Sequence, residues 1–188
     1  MTVIPDIRSA DRWGLTRAIG RFDGAIDERV DRFRGHPHVD GLMYVASELG
    51  DFSLIWHLVN TGRALAPDRR LTHAVRVAAV LGAESALVNG PVKSLFRRHR
   101  PAWEQARPLR LRRPRTSSFP SGHASSAMTA AGILSQRDPL WPLYYAIAAV
   151  LASSRVYVKI HHPSDVLAGA LFGAVLARLA RRAWPFPE

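Results

Sequence analysis

A histidine four residues before an aspartate is the pair in this sequence best suited to chemistry. Pro163, which lies between His161 and Asp165, suits the first turn of a helix. A helix beginning there would bring the Asp165 carboxylate close to the His161 imidazole. A carboxylate on one ring nitrogen fixes the tautomer and leaves the other nitrogen basic and directed. The spacing therefore indicates a histidine nucleophile.

A second histidine, His123, follows Ser121 and Gly122 at the predicted start of another helix. Helix N-termini present unpaired N–H groups and a positive dipole, so phosphate oxygens bind there readily. A glycine at this point lets the backbone approach an anion closely. The stretch therefore predicts an anion-binding turn beside a histidine.

Three cationic side chains, Lys93, Arg100 and Arg155, lie in or beside these stretches. Arginine binds phosphate in a bidentate manner, and lysine adds a compact charge. Two histidines, three cations and a helix N-terminus suit in-line phosphoryl transfer, where catalysis is largely positioning and charge neutralisation. The remaining basic residues of the region are interpreted as facing solvent or lipid headgroups: Arg97, Arg98, Arg110, Arg112, Arg113 and Arg115.

We expect neither a metal nor another cofactor. The chain has no cysteine, which excludes disulfides, thiolate catalysis and Cys-ligated metals. Two histidines near the motifs, His99 and His162, are interpreted as structural. The others lack metal-ligand spacing with a carboxylate or with one another: His36, His38, His57 and His73.

Apolar residues recur at helical spacing along nearly the whole chain, and no strand alternation is found. The pattern predicts an all-α, six-helix bundle that forms a single domain over residues 1–188. The helices are expected over 11–34, 39–65, 71–96, from 122 onward, 140–158 and 164–182. An arginine-rich loop over 97–118, interrupted by prolines, joins the third helix to the fourth.

The chain is expected to be embedded in a membrane. The first helix carries an apolar stripe with charges elsewhere, which is typical of an interfacial helix. Residues 140–153 and 166–180 come closest to the roughly 20 apolar residues that a span needs. The second and third helices are interpreted as poor spans because ionisable residues lie inside them: Glu48, Asp51, His57, Arg76 and Glu84.

The formal charge of +11, with 47% hydrophobic residues, indicates an anionic partner. Nucleic acid is not expected, because the arginines cluster at the ends of apolar segments and form no continuous polar face. The composition therefore favours an anionic lipid-phosphate substrate and membrane lipids as partners. The sequence does not indicate an oligomeric state.

Three stretches together resemble the signature of the type 2 phosphatidic acid phosphatase family, which is related to vanadium haloperoxidases. They run over 93–101, 120–123 and 154–165, and every fixed position of the family pattern is filled. The resemblance implies a bundle of the vanadium haloperoxidase type and a bacterial, multi-pass membrane phosphatase acting on lipid phosphates.

The resemblance also implies roles for individual residues. His161 would attack phosphorus and form a phosphohistidine, Asp165 would orient it, and His123 would protonate the leaving oxygen and then activate water. The phosphate oxygens would be held by Lys93, Arg100, Ser121, Gly122 and Arg155. Members of the family often carry an aromatic residue at the position of His162 and a small one at Lys159, and these departures bear on substrate preference.

Several substrates and two other classes of function stay open at this point. The lipid could be a polyprenyl phosphate or diphosphate, a phospholipid phosphate, or decaprenylphosphoryl-phosphoribose. A vanadate-dependent haloperoxidase would use the same anion pocket, although those relatives are much larger and soluble. A non-enzymatic membrane scaffold would have no need of the complete catalytic set.

The distribution of Lys and Arg also bears on orientation in the membrane. Most of them lie in the amino-terminal segment and the catalytic loops, which share one face if the first helix is interfacial. The positive-inside rule then directs that face to the cytoplasm. Many members of the resembled family act on the outer face, so the two arguments favour opposite orientations.

Overall fold

The computed structural model describes residues 7–65, 71–103, 109, 111–112, 114 and 116–185, with side chains from residue 14 onward. Within these residues the chain forms helices and no strand, so the predicted all-α class is confirmed. The order is α1 (Ile7–Asp31), α2 (Pro37–Leu49), a 3-10 turn (Asp51–Ser53), α3 (Leu54–Ala64), α4 (Leu71–Leu87), a π-helical turn (Val88–Val92), α5 (Gly122–Leu134), α6 (Trp141–Tyr157) and α7 (Pro163–Ala183).

The predicted second helix, over 39–65, is wrong as a single element because the chain breaks between α2 and α3. Phe52 and Ser53 have φ angles of +52° and +58°, which a continuous right-handed helix does not allow. The break turns Asp51 toward the start of α5. Tertiary contact at Asp51, described below, therefore overrides a helical pattern that is continuous in sequence.

The predicted third helix is interrupted near its end by a π-helical turn that contains Pro91. Proline lacks the N–H that the helical ladder needs, so the regular hydrogen-bond pattern cannot continue through it. Among the described residues, 71–92 is nevertheless one of two segments that are long and apolar enough to be candidate membrane spans, the other being α7. Its interpretation as a poor span is wrong because Arg76 and Glu84 are turned into the bundle, only 1% and 3% exposed.

The centre of the bundle is α5, most of whose side chains are buried. It packs against α7 at very short range, through two glycines one helical turn apart. A Cβ on Gly169 would lie 2.3 Å from the Ser121 carbonyl oxygen, and one on Gly173 would lie 2.1 Å from that of Ser125. The α5–α7 crossing therefore requires glycine, as in small-residue helix contacts in membranes.

Outside α5, large apolar side chains face both inward to the core and outward from the bundle. The inward set includes Trp56, Leu81, Ile133, Leu134 and Leu151, which are buried together in the main core. The outward set is not covered by other parts of the chain and lies on α4, α6 and α7: Leu71, Val75, Leu143, Val150, Leu167, Leu171, Val175 and Leu179. Exposed apolar faces of this extent are typical of helices that contact lipid.

Helix α1 lies on the outside of the bundle, against α6 and α7. Its predicted apolar stripe is largely uncovered, with Leu15 65% and Phe22 40% exposed. Among its described side chains Asp23 is the one that is buried. The helix is therefore attached through the Asp23 carboxylate and through Val30, which packs beside the core, while Leu15 and Phe22 remain available to a membrane interface.

We expect Gly173→Ala to destabilise the folded protein, because the added methyl group would overlap the Ser125 carbonyl and overpacking of a tight core typically costs about 1–3 kcal/mol or more. Gly82→Ala in α4 is the matched control, since nothing lies within 4 Å of its Cβ position. Thermal unfolding in detergent measures the difference. Equal midpoints for the two variants would contradict the close α5–α7 packing.

Candidate active site

The His161–Asp165 pair forms as its spacing predicts, because α7 begins at Pro163. Asp165 Oδ2 accepts hydrogen bonds from the His162 backbone N–H at 2.9 Å and from Ser118 Oγ at 2.6 Å. The same oxygen lies 3.7 Å from His161 Nδ1. The carboxylate is completely buried and His161 is 2% exposed. The first turn of α7 thus fixes the Asp165 carboxylate beside the Nδ1 atom of His161.

The other ring nitrogen of His161 faces the predicted cations. His161 Nε2 lies 3.2 Å from Arg100 Nη1, and Arg100 is held by the backbone carbonyls of Ile160, Thr116 and Ser117 at 3.0–3.3 Å. With Nδ1 toward the carboxylate, Nε2 carries the lone pair. The reactive nitrogen is therefore directed toward positive charge.

His123 has a carboxylate partner that the sequence analysis did not identify. Its Nε2 lies 2.9 Å from Asp51 Oδ1, at the break between α2 and α3. The ring packs against Gly50, where a Cβ would come within 2.5 Å of the His123 Cδ2 atom. The break, the glycine and Asp51 together hold the second histidine in one orientation.

Lys93 and Gly122 meet across the π-helical turn. Lys93 Nζ donates to Asn89 Oδ1 at 3.0 Å, and the Gly122 Cβ position is 3.0 Å from that same oxygen and 3.6 Å from Nζ. Any larger residue at 122 would displace this pair. Ser121 caps α5, its Oγ accepting from the Ala124 N–H at 3.4 Å.

Arg155, at the end of α6, is almost fully buried and donates to the hydroxyl and backbone carbonyl of Ser47. Its charge acts on Lys93, His123 and His161.

The eight residues singled out in the sequence therefore gather at the starts of α5 and α7, the end of α6 and the segment after α4: Lys93, Arg100, Ser121, Gly122, His123, Arg155, His161 and Asp165.

The interpretation of Arg98 as a solvent-facing or headgroup-facing residue is wrong. Its guanidinium donates to Asp165 Oδ1 at 2.7 Å and to Asp23 Oδ2 at 2.6 Å. A buried carboxylate needs a paired charge, and Arg98 supplies it. Arg97 and Arg112 are exposed as expected. Three further arginines of that interpretation lie outside the described residues: Arg110, Arg113 and Arg115.

The concentration of positive charge changes the proton affinity of the site. Burial, reinforced by the charges of Arg155 and Arg100, lowers the pKa of His161, although Asp165 opposes the shift. Burial and the charge of Arg155 lower the pKa of His123 to about 4. Burial and the two neighbouring arginines lower the pKa of Lys93 to about 8. Neighbouring arginines contribute to all three shifts, and this excess of positive charge favours an anion.

A metal ion has no set of ligands in the described part of the chain, where no group of three His, Asp or Glu side chains is arranged to hold one. Asp51 and Asp165 lie beside the two histidines, and the other side chains gathered at the site are cations or hydrogen-bond donors: Lys93, Arg100, Ser121 and Arg155. Such a set binds the oxygens of a phosphate directly.

Comparison with known proteins bears on the family. The PAP2 superfamily model matches residues 73–186. The chain is 34% identical to decaprenylphosphoryl-5-phosphoribose phosphatase of Mycobacterium tuberculosis, over 71% of this chain and 73% of that protein. It is 33% identical to undecaprenyl-diphosphatase of Sulfolobus acidocaldarius, over 76% and 69% of the two chains.

Two solved structures share the fold. One is a transmembrane PAP2-type phosphatidylglycerolphosphate phosphatase from Bacillus subtilis, with a TM-score of 0.69 and 25% identity, covering 88% of this chain and 86% of that one. The other is LpxE of Aquifex aeolicus, with a TM-score of 0.66 and 24% identity, covering 84% and 93%. On the family model and the identities to the two phosphatases, the chain belongs to the PAP2 superfamily of phosphatases.

Proposed function

We propose that this chain is a multi-pass membrane phosphatase that hydrolyses a lipid phosphate ester through a phosphohistidine on His161, without a metal ion. The chain would act as a single domain over residues 1–188. The observation that carries the proposal is the pairing of the buried His161 and the half-buried His123 with separate carboxylates, Asp165 and Asp51, around a common cation, Arg155.

The first half-reaction transfers the phosphoryl group to the enzyme. His161 Nε2 attacks phosphorus, the P–N bond forms, and the bond from phosphorus to the leaving oxygen breaks. His123 gives its proton to that oxygen, so the lipid product leaves as an alcohol or, from a diphosphate, as a monophosphate. Lys93, Arg100 and Arg155 neutralise the charge on the phosphoryl oxygens.

The second half-reaction restores the enzyme. His123, now neutral, takes a proton from water, whose oxygen attacks phosphorus as the P–N bond breaks. Inorganic phosphate leaves and His123 is again protonated. A bound phosphate anion raises the pKa of a neighbouring histidine, so substrate binding offsets the low pKa of His123 in the empty site.

A lipid substrate is supported by the surface and by the relatives. Exposed apolar residues lie on α4 and α7, and in the described part of the chain the segment 71–92 and α7 are long and apolar enough to cross a membrane. Both relatives are named as phosphatases of prenyl lipids, and the Bacillus subtilis structure as one of a phospholipid phosphate. We therefore propose the same substrate range, from polyprenyl phosphates and diphosphates to decaprenylphosphoryl-phosphoribose and phospholipid phosphates.

We expect His161→Ala to lose essentially all turnover on every ester, because the nucleophile is absent. His123→Ala and Asp51→Asn should lose far more activity on an alkyl phosphate than on p-nitrophenyl phosphate, whose leaving group needs no proton. Single-turnover release of the alcohol and of p-nitrophenol measures this first step, because release of phosphate also needs His123 as the base. Near-normal turnover of p-nitrophenyl phosphate by His161→Ala would contradict the assignment.

We expect kcat/KM to fall as the pH rises through about 8, since Lys93 binds phosphate only while it is protonated. Lys93→Arg keeps its charge at higher pH, so the alkaline fall should move upward. Lys159, the other lysine of the chain, provides the control: Lys159→Arg should keep the wild-type profile. Identical pH profiles for both variants would exclude Lys93 as the group responsible.

The proposed function as a whole is tested with purified protein in detergent and a panel of lipid phosphates, assayed with and without excess EDTA. We expect release of inorganic phosphate from at least one prenyl or phospholipid phosphate, at the same rate in both conditions. No release from any member, or a loss in EDTA that one divalent ion restores, would overturn the proposal.

A further inference from the structure

Asp23, the buried residue among the described side chains of α1, lies next to the proposed catalytic pair of His161 and Asp165, on the side of Arg98 and Ser164. Asp23 is 6% exposed, although its neighbours on both sides are open to the outside. The segment matched by the family model begins only at residue 73. A carboxylate from a helix outside that segment therefore reaches the interior beside Asp165.

Within the described residues, the side-chain hydrogen bonds of Asp23 lead to the first turn of α7 and to Arg98. Asp23 Oδ1 accepts from the Ser164 N–H at 2.8 Å, and Oδ2 accepts from Ser164 Oγ at 2.9 Å and from Arg98 Nη2 at 2.6 Å. Arg98 Nη1 in turn donates to Asp165 Oδ1 at 2.7 Å and to Ser164 Oγ at 2.8 Å. The two carboxylates thus share one guanidinium.

The Arg98 guanidinium is held at both of its terminal nitrogens, Nη1 by Asp165 and Nη2 by Asp23. A guanidinium presents its donors in a rigid plane, so holding one edge on Asp23 fixes the direction of the other edge toward Asp165. Asp23 also neutralises Arg98, so the cation does not add to the positive charge already present around His161.

We propose that Asp23 is a positioning residue for the nucleophile, acting through Arg98 and Ser164 to fix the Asp165 carboxylate beside His161. The inference rests on the proposed function, in which His161 is the nucleophile. It makes α1 part of the catalytic unit as well as an interfacial helix. In Asp23→Asn the amide cannot accept from Ser164 and Arg98 as the carboxylate does, so Arg98 loses its anchor.

The test compares Asp23→Asn with Asp31→Asn, which removes the same charge from the same helix at a pair with Arg34 on the surface. We expect Asp23→Asn to lower kcat by up to about a hundredfold, the loss that a displacement of about 1 Å at a reacting group can cause, with KM changed less than about twofold. Asp31→Asn should keep the wild-type kcat. A loss confined to KM, or equal values for both variants, would overturn the proposal.

A double-mutant cycle separates positioning from simple loss of structure. If Asp23 acts through Arg98, then Asp23→Asn should cost little further activity in an Arg98→Gln background. Fully additive losses, with unchanged thermal midpoints, would show that Asp23 does not act through Arg98. If Asp23→Asn does not fold, the variants Arg98→Lys and Arg98→Gln test the same connection from Asp23 through Arg98 to Asp165. A wild-type kcat in both variants would refute it.

The two proposals fail in different ways. A wild-type protein that releases no phosphate from any lipid ester contradicts the proposed function. A wild-type protein that is active through His161, with an equally active Asp23→Asn variant, contradicts only the role of Asp23.

Discussion

A fully buried negative charge has to be completely paired, and the Asp165 carboxylate imposes this constraint on the whole catalytic end of the bundle. Its partners come from separate parts of the chain: Arg98 after α4, Ser118 before α5, and the His162 N–H at the start of α7. Removing one partner of a buried charge costs about 3–5 kcal/mol. The segments around the site are therefore held in place by the same carboxylate that lies beside His161.

A second constraint is the excess of positive charge that faces His161 and His123. Both imidazoles are driven toward the neutral form by burial and by nearby cations, and Lys93 is driven toward losing its proton. In the proposed mechanism a phosphate anion offsets this positive charge, which would couple substrate binding to the protonation of His123. The α5–α7 crossing supports this arrangement, because glycines at 169 and 173 let the two helix starts lie side by side.

The sequence predicted the all-α class and the residues that gather at the site, because motif spacing and helical periodicity are local properties. It did not predict Asp51, since the helix break there depends on a contact with His123, distant in sequence. It also did not predict Asp23 and Arg98 as partners. A charged residue on an amphipathic helix or in a basic loop has the same pattern whether it is solvated or buried, and only the packing of α1 against α7 distinguishes the two.

The central claim is that phosphorus is transferred to His161. Rapid quenching of the enzyme during turnover of a lipid ester with a radiolabelled phosphate group, followed by peptide mapping, tests it most directly. The account predicts label on the protein that is acid-labile and stable to base, as a phosphohistidine is, located at His161 and absent from His161→Ala. Active turnover with no protein-bound label, or with label on another residue, would contradict it.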